Sequence, residues 1–217
     1  MKTRLYIADD HAVLRDGLRL MFESYHCFEV VGEAANGRDA VEGAVHLRPD
    51  VMLMDIAMPW MNGIEATRLI KKKQLVAKVI MLSMHSTTEH IVQALDAGAD
   101  GFVLKETAGA EVIDAVGAVL KGQFYWSRKI PEKTILACRT RKSNTDAPTP
   151  VMSLSRRERE VVQLVAEGLT SAQIARLLGI SPKSVETYRS RLMTKLGVTD
   201  VPGLVKFAIQ HGFTSLT

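Results

Sequence analysis

The sequence predicts a two-part fold: an α/β domain built on a doubly wound, five-stranded parallel sheet, followed by an all-α domain of four helices. Three observations predict it. Short apolar runs alternate with helical patterns in the front half, glycine-separated amphipathic segments fill the back half, and the net charge changes sign between the halves. A chain of 217 residues with 47% hydrophobic residues is long enough for two domain cores.

Five apolar runs define the predicted sheet, and each is too short for a helix. They lie at residues 5–8, 29–32, 51–54, 79–82 and 101–104. Helical patterns follow them at residues 13–22, 37–47, 63–72, 88–97 and 110–121. Strands that alternate with helices form parallel sheets covered by helices on both faces, so we assign residues 1–122 to one domain.

Polar side chains stand at the ends of four of these strands. Asp9 and Asp10 follow the first strand, Asp55 ends the third, Ser83 ends the fourth and Lys105 ends the fifth. Each has a local alternative, because a carboxylate or hydroxyl can cap a turn or helix and a lysine can be solvated. In a parallel sheet, however, these ends meet at one edge, where ligands bind, so the set together favours a functional site.

The predicted site combines three carboxylates, a hydroxyl and an ammonium group. Carboxylates at such close range raise one another's pKa unless a cation neutralises them, and Mg²⁺ prefers carboxylate, carbonyl and water oxygens. Lys105 adds a fixed positive charge. A metal, a cation and a carboxylate nucleophile together suit the transfer of a phosphoryl group onto Asp55.

The distribution of charge separates the two halves. Residues 1–122 hold 13 Lys and Arg against 17 Asp and Glu, net −4, whereas residues 123–217 hold 15 against 7, net +8. Nucleic acid or a merely soluble surface could explain the basic half. Two distant cysteines, Cys27 and Cys138, predict no disulfide framework or zinc site. No apolar run reaches membrane-spanning length, so we expect a cytoplasmic protein without membrane contact.

Residues 123–152 have the composition of a linker. A short helix over residues 131–138 is compatible with the sequence, but residues 139–150 are polar and include Pro148 and Pro150. Such a segment has little to bury and predicts a mobile tether between separate domains.

Helix signals recur through residues 153–217. Capping boxes at Ser155 and at Thr170 open two helices, and Ser181 followed by Pro182 opens a third. Glycines 168, 179 and 197 end these three helices, and a fourth spans about residues 201–210. Short helices joined by tight glycine turns predict a helix-turn-helix.

The third helix of this half has two distinct faces. Helical spacing places four apolar side chains on an inner face: Val185, Tyr188, Leu192 and Leu196. The outer face carries polar and charged side chains, Lys183, Thr187, Ser190 and Thr194, and is flanked by Glu186 and Arg191. A solvated amphipathic helix is the general alternative. The turn geometry and the local positive charge favour entry into a DNA major groove.

Three motifs of the front half resemble the receiver domain of bacterial two-component response regulators, a flavodoxin-like fold. They are Asp9-Asp10-His11, residues 53–67 (LMDIAMPWMNGIEAT) and residues 98–105 (GADGFVLK). The resemblance implies that Asp55 accepts a phosphoryl group from a sensor histidine kinase. It also implies that Mg²⁺ is bound by Asp10, Asp55 and the carbonyl of Ala57, and by Asp9 through water. By the same resemblance, Ser83 and Phe102 are the switch residues and Lys105 pairs with the phosphoryl group.

Two features of the front half depart from the family pattern. Asn62 replaces a usual Asp before Gly63, and similar turn chemistry should tolerate it. Ala57 and His85 occupy the positions that, by the resemblance, flank the attacking water, so substituting either should alter the phosphoryl lifetime without abolishing phosphorylation.

The back half resembles LuxR-type DNA-binding domains through residues 154–161 (LSRREREV), 178–181 (LGIS), 183–188 (KSVETY) and 195–198 (KLGV). With the receiver, this identifies a NarL/FixJ-type response regulator. The resemblance implies base contacts by Glu186, Thr187 and Ser190 on a double-stranded operator. Charge and position add four phosphate contacts: Lys183, Arg189, Arg191 and Lys195. RNA polymerase is a further partner to consider.

The fourth helix carries a stripe of Leu204, Phe207, Ala208 and His211. Because three helices can already bury one another, we expect this stripe to be spare and to form a homodimer on DNA, as the resemblance implies. The alternative is that the stripe closes the domain's own core.

The sequence favours a phosphorylation-switched transcription factor over two rival functions. An aspartyl-phosphate phosphatase or mutase would need a second acid/base Asp two residues after the nucleophile, where Ala57 stands, so we expect no enzyme beyond the receiver's own phosphoryl transfer. A constitutive DNA binder with a vestigial receiver would not need the intact set at the strand ends.

Overall fold

The computed structural model describes residues 1–73, 75, 78–84, 87–143 and 150–214. The chain divides into two compact units, Met1–Asn144 and Thr145–Thr217. We describe each unit by itself. Within the described residues, the helices are all too short or too polar to cross a bilayer.

The first unit is built on a parallel sheet, as the sequence predicts. Its strands are β1 (Thr3–Ala8), β2 (Phe28–Ala34), β3 (Val51–Asp55), β4 (Lys78–Ser83), β5 (Gly101–Leu104) and β6 (Tyr125–Trp126). They lie in the order β2-β1-β3-β4-β5-β6, and every neighbouring pair is parallel. The α/β class is confirmed, with six strands where the sequence predicts five.

Helices cover both faces of this sheet. They are α1 (Ala12–Glu23), α2 (Gly37–Leu47), α3 (Gly63–Lys72), α4 (Thr88–Ala97), α5 (Ala108–Leu120) and α6 (Glu132–Ser143), and a 3-10 turn at Lys105–Thr107 precedes α5. Side chains alternate along β3, so Met52 and Met54 join one core cluster, and Val51 and Leu53 join the other. The buried apolar run therefore contributes to both layers, which explains its uninterrupted hydrophobicity.

The predicted linker begins with regular structure. Tyr125 and Trp126 pair with Gly101 and Phe102 of β5, and the buried hydroxyl of Ser127 donates to Glu111 at 2.8 Å. Two residues show no periodicity, so the strand could be recognised only from its partner. Helix α6 packs against α4, and Ile130 and Cys138 are buried in the first unit's core. Residues 144–149 of the predicted tether lie outside the described residues.

The second unit is all-α. It contains a short turn of helix α7 (Pro150–Ser153) and the four predicted helices, α8 (Arg156–Ala166), α9 (Ser171–Leu178), α10 (Pro182–Leu196) and α11 (Val201–Gln210). Both predicted capping boxes form, with Ser155 accepting from the Glu158 N–H and Thr170 from the Gln173 N–H. Gly179 ends α9 at φ 64°, a left-handed conformation that glycine adopts without strain.

The stripe on α11 is not spare, which corrects the expectation from the sequence. Leu204, Phe207 and Ala208 are buried in the second unit's own core, and α11 packs against α8. The imidazole of His211 packs at a tilt of 44° against Phe207, with ring centroids 4.2 Å apart. Three helices of 8 to 15 residues leave one side of their core open, and α11 closes it. The stripe thus follows the alternative, and dimerisation through α11 would use the helix's other face.

Candidate phosphoryl-acceptor site and DNA-binding surface

The sheet brings the predicted acidic residues to one edge. Ala8 pairs with Met54, Asp55 pairs with Leu82, and Ser83 pairs with Leu104. Asp9 and Asp10 therefore emerge beside Asp55, while Lys105 emerges two strands away on the same side. Carboxylate oxygens of Asp9, Asp10 and Asp55 and a ring nitrogen of His11 all lie within 4.8 Å of one another.

Lys105 joins the two buried carboxylates. Its Nζ lies 2.9 Å from Oδ2 of Asp9 and 2.9 Å from Oδ2 of Asp55. All three side chains are at most 5% exposed. An ammonium held between two carboxylates compensates part of their desolvation, and breaking such a set would leave a buried charge uncompensated.

The pKa of Asp55 reflects this environment. Burial and the nearby Asp9 carboxylate raise the pKa of Asp55 to about 7, although Lys105 opposes the shift. For Lys105, burial acts to lower the pKa, but the carboxylates of Asp55 and Asp9 outweigh it and raise the pKa. The charge of one ammonium therefore does not offset the effects of burial and of Asp9 on the pKa of Asp55. A second cation at this edge would do so.

The donor set fits a divalent metal ion. Three carboxylates converge from two strand ends, and the Asp10 side chain is one-third exposed, which leaves a route from solvent. Hard cations such as Mg²⁺ take carboxylate oxygens and retain several waters. The backbone N–H of Ala57 lies 3.4 Å from Oδ1 of Asp55, so the Ala57 peptide is adjacent to the site.

Local backbone geometry holds Asp55 in place. The Gly63 N–H donates to the carbonyl of Ile56, and a Cβ on Gly63 would come within 1.9 Å of the Asp55 carbonyl oxygen. Asn62 caps α3 by accepting from the Glu65 N–H at 2.9 Å. The Asn in place of the usual Asp thus keeps the capping role.

Two side chains at this edge were not predicted as site residues, although His11 stands in the motif Asp9-Asp10-His11. Arg15 donates from Nη1 to the Asp9 carbonyl at 2.6 Å, and its Nε lies 3.0 Å from Glu33. The His11 imidazole contacts both Asp9 and Asp10. Their position one helical turn apart at the start of α1 was a usable signal, because both can reach back to the end of β1.

The two residues implied as switches lie on neighbouring strands. Ser83 is buried at the end of β4, and Phe102 is fully buried in β5 beside Met81 and Trp126 in register. Phe102 therefore already occupies an inward position. His85 lies outside the described residues.

In the second unit, α10 presents the predicted outer face. Val185 and Leu192 are fully buried, whereas the outer face is exposed at Lys183, Glu186, Thr187, Ser190, Thr194, Arg191 and Lys195. Ser181 caps the helix by accepting from the Ser184 N–H at 3.1 Å, and Pro182 occupies its first turn. The N-terminal half of α10 thus exposes a surface of small polar and charged side chains.

Two of the four predicted phosphate contacts also have partners within the unit. Arg189 is half-buried and donates to Ser171 at 3.2 Å. Lys195 lies 2.9 Å from Glu158, the residue that completes the capping box of α8. The structure therefore distinguishes Arg189 and Lys195, which have side-chain partners within the unit, from Lys183 and Arg191. The charges of the four residues alone could not make this distinction.

Known protein families match both units. The family model of the response regulator receiver domain matches residues 5–117, and that of the luxR family of bacterial regulatory proteins matches residues 152–208. The transcriptional regulatory protein MctR of Rhizobium johnstonii is 34% identical over 99% of this chain and 96% of its own length. LiaR of Bacillus subtilis is 38% identical over 91% of this chain and 92% of its own length.

A solved structure has the same two-part organisation. The two-component response regulator RcsB in complex with DNA superposes with a TM-score of 0.62 at 26% identity, covering 95% of this chain and 98% of that chain. A parallel sheet with an acidic edge and a helix-turn-helix unit define the class, a receiver joined to a DNA-binding domain. The chain belongs to the NarL/FixJ family of two-component response regulators, which act on DNA and transcription.

Proposed function

We propose that Asp55 accepts a phosphoryl group from a sensor histidine kinase and that this modification switches sequence-specific DNA binding by α10. The observation that carries the proposal is the position of Lys105, 2.9 Å from both Asp55 and Asp9 at the sheet edge. A carboxylate oxygen of Asp55 attacks phosphorus, and the bond from phosphorus to the kinase histidine breaks, leaving its electron pair on the imidazole. Lys105 then pairs with a phosphoryl oxygen.

Mg²⁺ is the metal we propose for the acidic edge, held by Asp9, Asp10 and Asp55 and by the Ala57 carbonyl. Bound there, it supplies positive charge for the phosphoryl oxygens. The chain's own residues do the rest. Arg15 holds the Asp9 carbonyl, and Gly63 permits the close backbone approach that fixes Asp55.

The switch would begin beside the modified carboxylate. Ser83 lies on β4, the strand next to β3, and Phe102 lies on β5, the strand that Lys105 follows. A phosphoryl group adds charge and volume in a buried site, so neighbouring hydroxyl and ammonium groups must rearrange around it. Coupling between such a site and DNA binding is typically worth about 1–3 kcal/mol, or roughly 5–150-fold in affinity.

For DNA recognition, we propose that α10 enters the major groove. Glu186, Thr187 and Ser190 would reach base edges, while Lys183 and Arg191 contact phosphates. Arg189 and Lys195 would first exchange Ser171 and Glu158 for phosphate oxygens. The similarity to RcsB, whose structure with DNA is known, supports this orientation.

The partners follow from that arrangement. A homodimer bound to two half-sites is supported by the relative RcsB, described as dimers on DNA. The face of α11 opposite its buried stripe is the surface we propose for pairing. Binding near a promoter would bring the chain within reach of RNA polymerase, and contact with DNA supports the cytoplasmic location that we propose.

Labelling with a small phosphodonor tests the acceptor. The full chain is incubated with the phosphodonor and Mg²⁺, and phosphorylation is followed by intact mass and by DNA affinity. We expect the wild type to be labelled and to bind its operator more tightly afterwards, and Asp55→Asn to do neither. Asp16→Asn, an exposed aspartate on α1, is the matched control and should behave as wild type.

Other results would contradict the proposal. Equal labelling of Asp55→Asn would place the acceptor elsewhere. An unchanged DNA affinity after full labelling of the wild type would favour the constitutive DNA binder with a vestigial receiver.

A further inference from the structure

The imidazole of His11 is part of the acidic site. Its Nδ1 lies 2.7 Å from Oδ1 of Asp10 and 3.2 Å from Oδ1 of Asp9. The same nitrogen lies 3.5 Å from Nζ of Lys105. The ring is 64% exposed, yet the nitrogen on its inner side faces the carboxylates that would hold a metal.

The backbone fixes this orientation. His11 precedes the first residue of α1 in an extended conformation, φ −81° and ψ 101°, and its N–H donates to Oδ1 of Asp9 at 2.8 Å. A residue at this position often caps the helix with its side chain. Among the described residues, however, the His11 side chain caps no N–H of α1, because its ring turns toward Asp9 and Asp10.

The Nδ1 atom of His11 lies close enough to the carboxylates either to obstruct a metal ion or to bind it. Nδ1 faces the Asp10 and Asp9 oxygens, so a cation bound to those oxygens would lie next to this nitrogen. The ring can then move away, or it can direct the Nδ1 lone pair at the cation as the tautomer that carries its proton on Nε2. The four donor atoms already lie within 4.8 Å of one another.

Ligand chemistry decides which cations benefit from the imidazole. Mg²⁺ takes oxygen ligands and keeps its waters, whereas Mn²⁺, Co²⁺ and Zn²⁺ accept imidazole beside carboxylates. We propose that His11 is a protein ligand at this site for a divalent transition-metal ion and biases the site toward such an ion over Mg²⁺. The inference rests on the proposed metal site at Asp9, Asp10 and Asp55 and adds a nitrogen ligand to it.

Metal titrations of the full chain test the inference. Wild type, His11→Ala and Asp10→Asn are titrated with Co²⁺ and separately with Mg²⁺ at one fixed, mildly alkaline pH. Calorimetry reports affinity, and the visible absorption of bound Co²⁺ reports its ligands. His46→Ala, an exposed histidine on α2, is the matched control.

We expect His11→Ala to weaken Co²⁺ binding by at least about tenfold and to alter the Co²⁺ spectrum, while Mg²⁺ affinity changes by less than about twofold. Asp10→Asn should weaken both metals, and His46→Ala neither. Equal weakening of both metals in His11→Ala would make His11 a positioning residue only. Unchanged or tighter Co²⁺ binding would mean that the ring merely fills the site.

The proposed metal site can fail separately. If wild type binds neither Co²⁺ nor Mg²⁺, or if Asp10→Asn leaves both affinities unchanged, the metal site itself is overturned and the nitrogen ligand with it. If wild type binds both and only the His11→Ala expectation fails, the metal site stands without His11.

Discussion

Nζ of Lys105 lies 2.9 Å from Oδ2 of Asp55, and both side chains are buried at the edge of the sheet. Asp9 shares the same ammonium. One cation thus serves two carboxylates, and the pKa of Asp55 stays raised to about 7 by burial and by Asp9. The acceptor is held at close range to a cation while remaining incompletely neutralised, and this has a measurable consequence for stability.

Stability without metal should fall as the pH rises toward 7. An aspartate with a raised pKa in the folded state stabilises the fold when protonated, and this contribution is lost as the pH rises through about 7. With a chelator present, Asp55→Asn should therefore be more stable than wild type above pH 7, by on the order of 2 kcal/mol. The difference in unfolding free energy between the two proteins should shrink as the pH falls toward about 4, the ordinary aspartate pKa. Urea unfolding across this range measures it, and a difference independent of pH would contradict the assignment.

Gly63 should tolerate no side chain. A Cβ there would lie 1.9 Å from the Asp55 carbonyl oxygen, which is backbone and cannot move away alone. We expect Gly63→Ala to cost about 2–4 kcal/mol in unfolding free energy and to slow phosphorylation of Asp55. The control is Gly17→Ala in α1, where the added Cβ would have no described atom within 4 Å apart from its chain neighbours and the backbone of its own helix. This variant should gain about 0.5–1 kcal/mol in unfolding free energy. Similar unfolding free energies for the two variants would refute the close approach.

Glu160 should be critical for the second unit. It is 4% exposed and accepts from Arg156 at 3.0 Å and from Arg157 at 2.7 Å, and Arg157 also donates to the Leu178 carbonyl at the end of α9. Removing the charge leaves guanidinium groups poorly paired, so Glu160→Gln should lower the unfolding free energy of this unit by about 2–4 kcal/mol.

The exposed Glu186 provides the comparison for Glu160. Thermal unfolding of Glu186→Gln should stay within about 0.5 kcal/mol of wild type, because the side chain is on the surface of α10. An equally small effect of Glu160→Gln would mean that the buried carboxylate contributes little.

DNA contacts on α10 should separate by their salt dependence. Lys183→Ala removes one phosphate contact, so it should weaken binding on all sequences and reduce the slope of log affinity against log salt by about 1. Thr187→Ala should weaken the operator selectively, by about 1–3 kcal/mol, with an unchanged slope. Binding titrations over a salt series, on an operator selected from random DNA, measure both effects. A selective loss in Lys183→Ala would reverse the assignment.

The acidic edge was predictable because strand ends of a parallel sheet must meet. Asp9, Asp10, Asp55 and Lys105 each follow an apolar run, and the alternation of strands and helices fixes the edge at which they emerge. The ranges of the helices were predictable because capping residues such as Ser155 and the helical period are local features of the sequence. The two-residue strand β6 carried no such signal, because its pairing with β5 is a long-range contact.

By itself, the sequence determined the two-part α/β and all-α fold, the group of residues at the sheet edge and the outer face of α10, because period, capping and chain order express these features locally. Only the tertiary structure decided that the α11 stripe closes a core, that Lys195 pairs with Glu158 and that His11 turns toward Asp10. These outcomes depend on which distant surfaces pack together. A residue's own neighbours in the chain do not encode that choice.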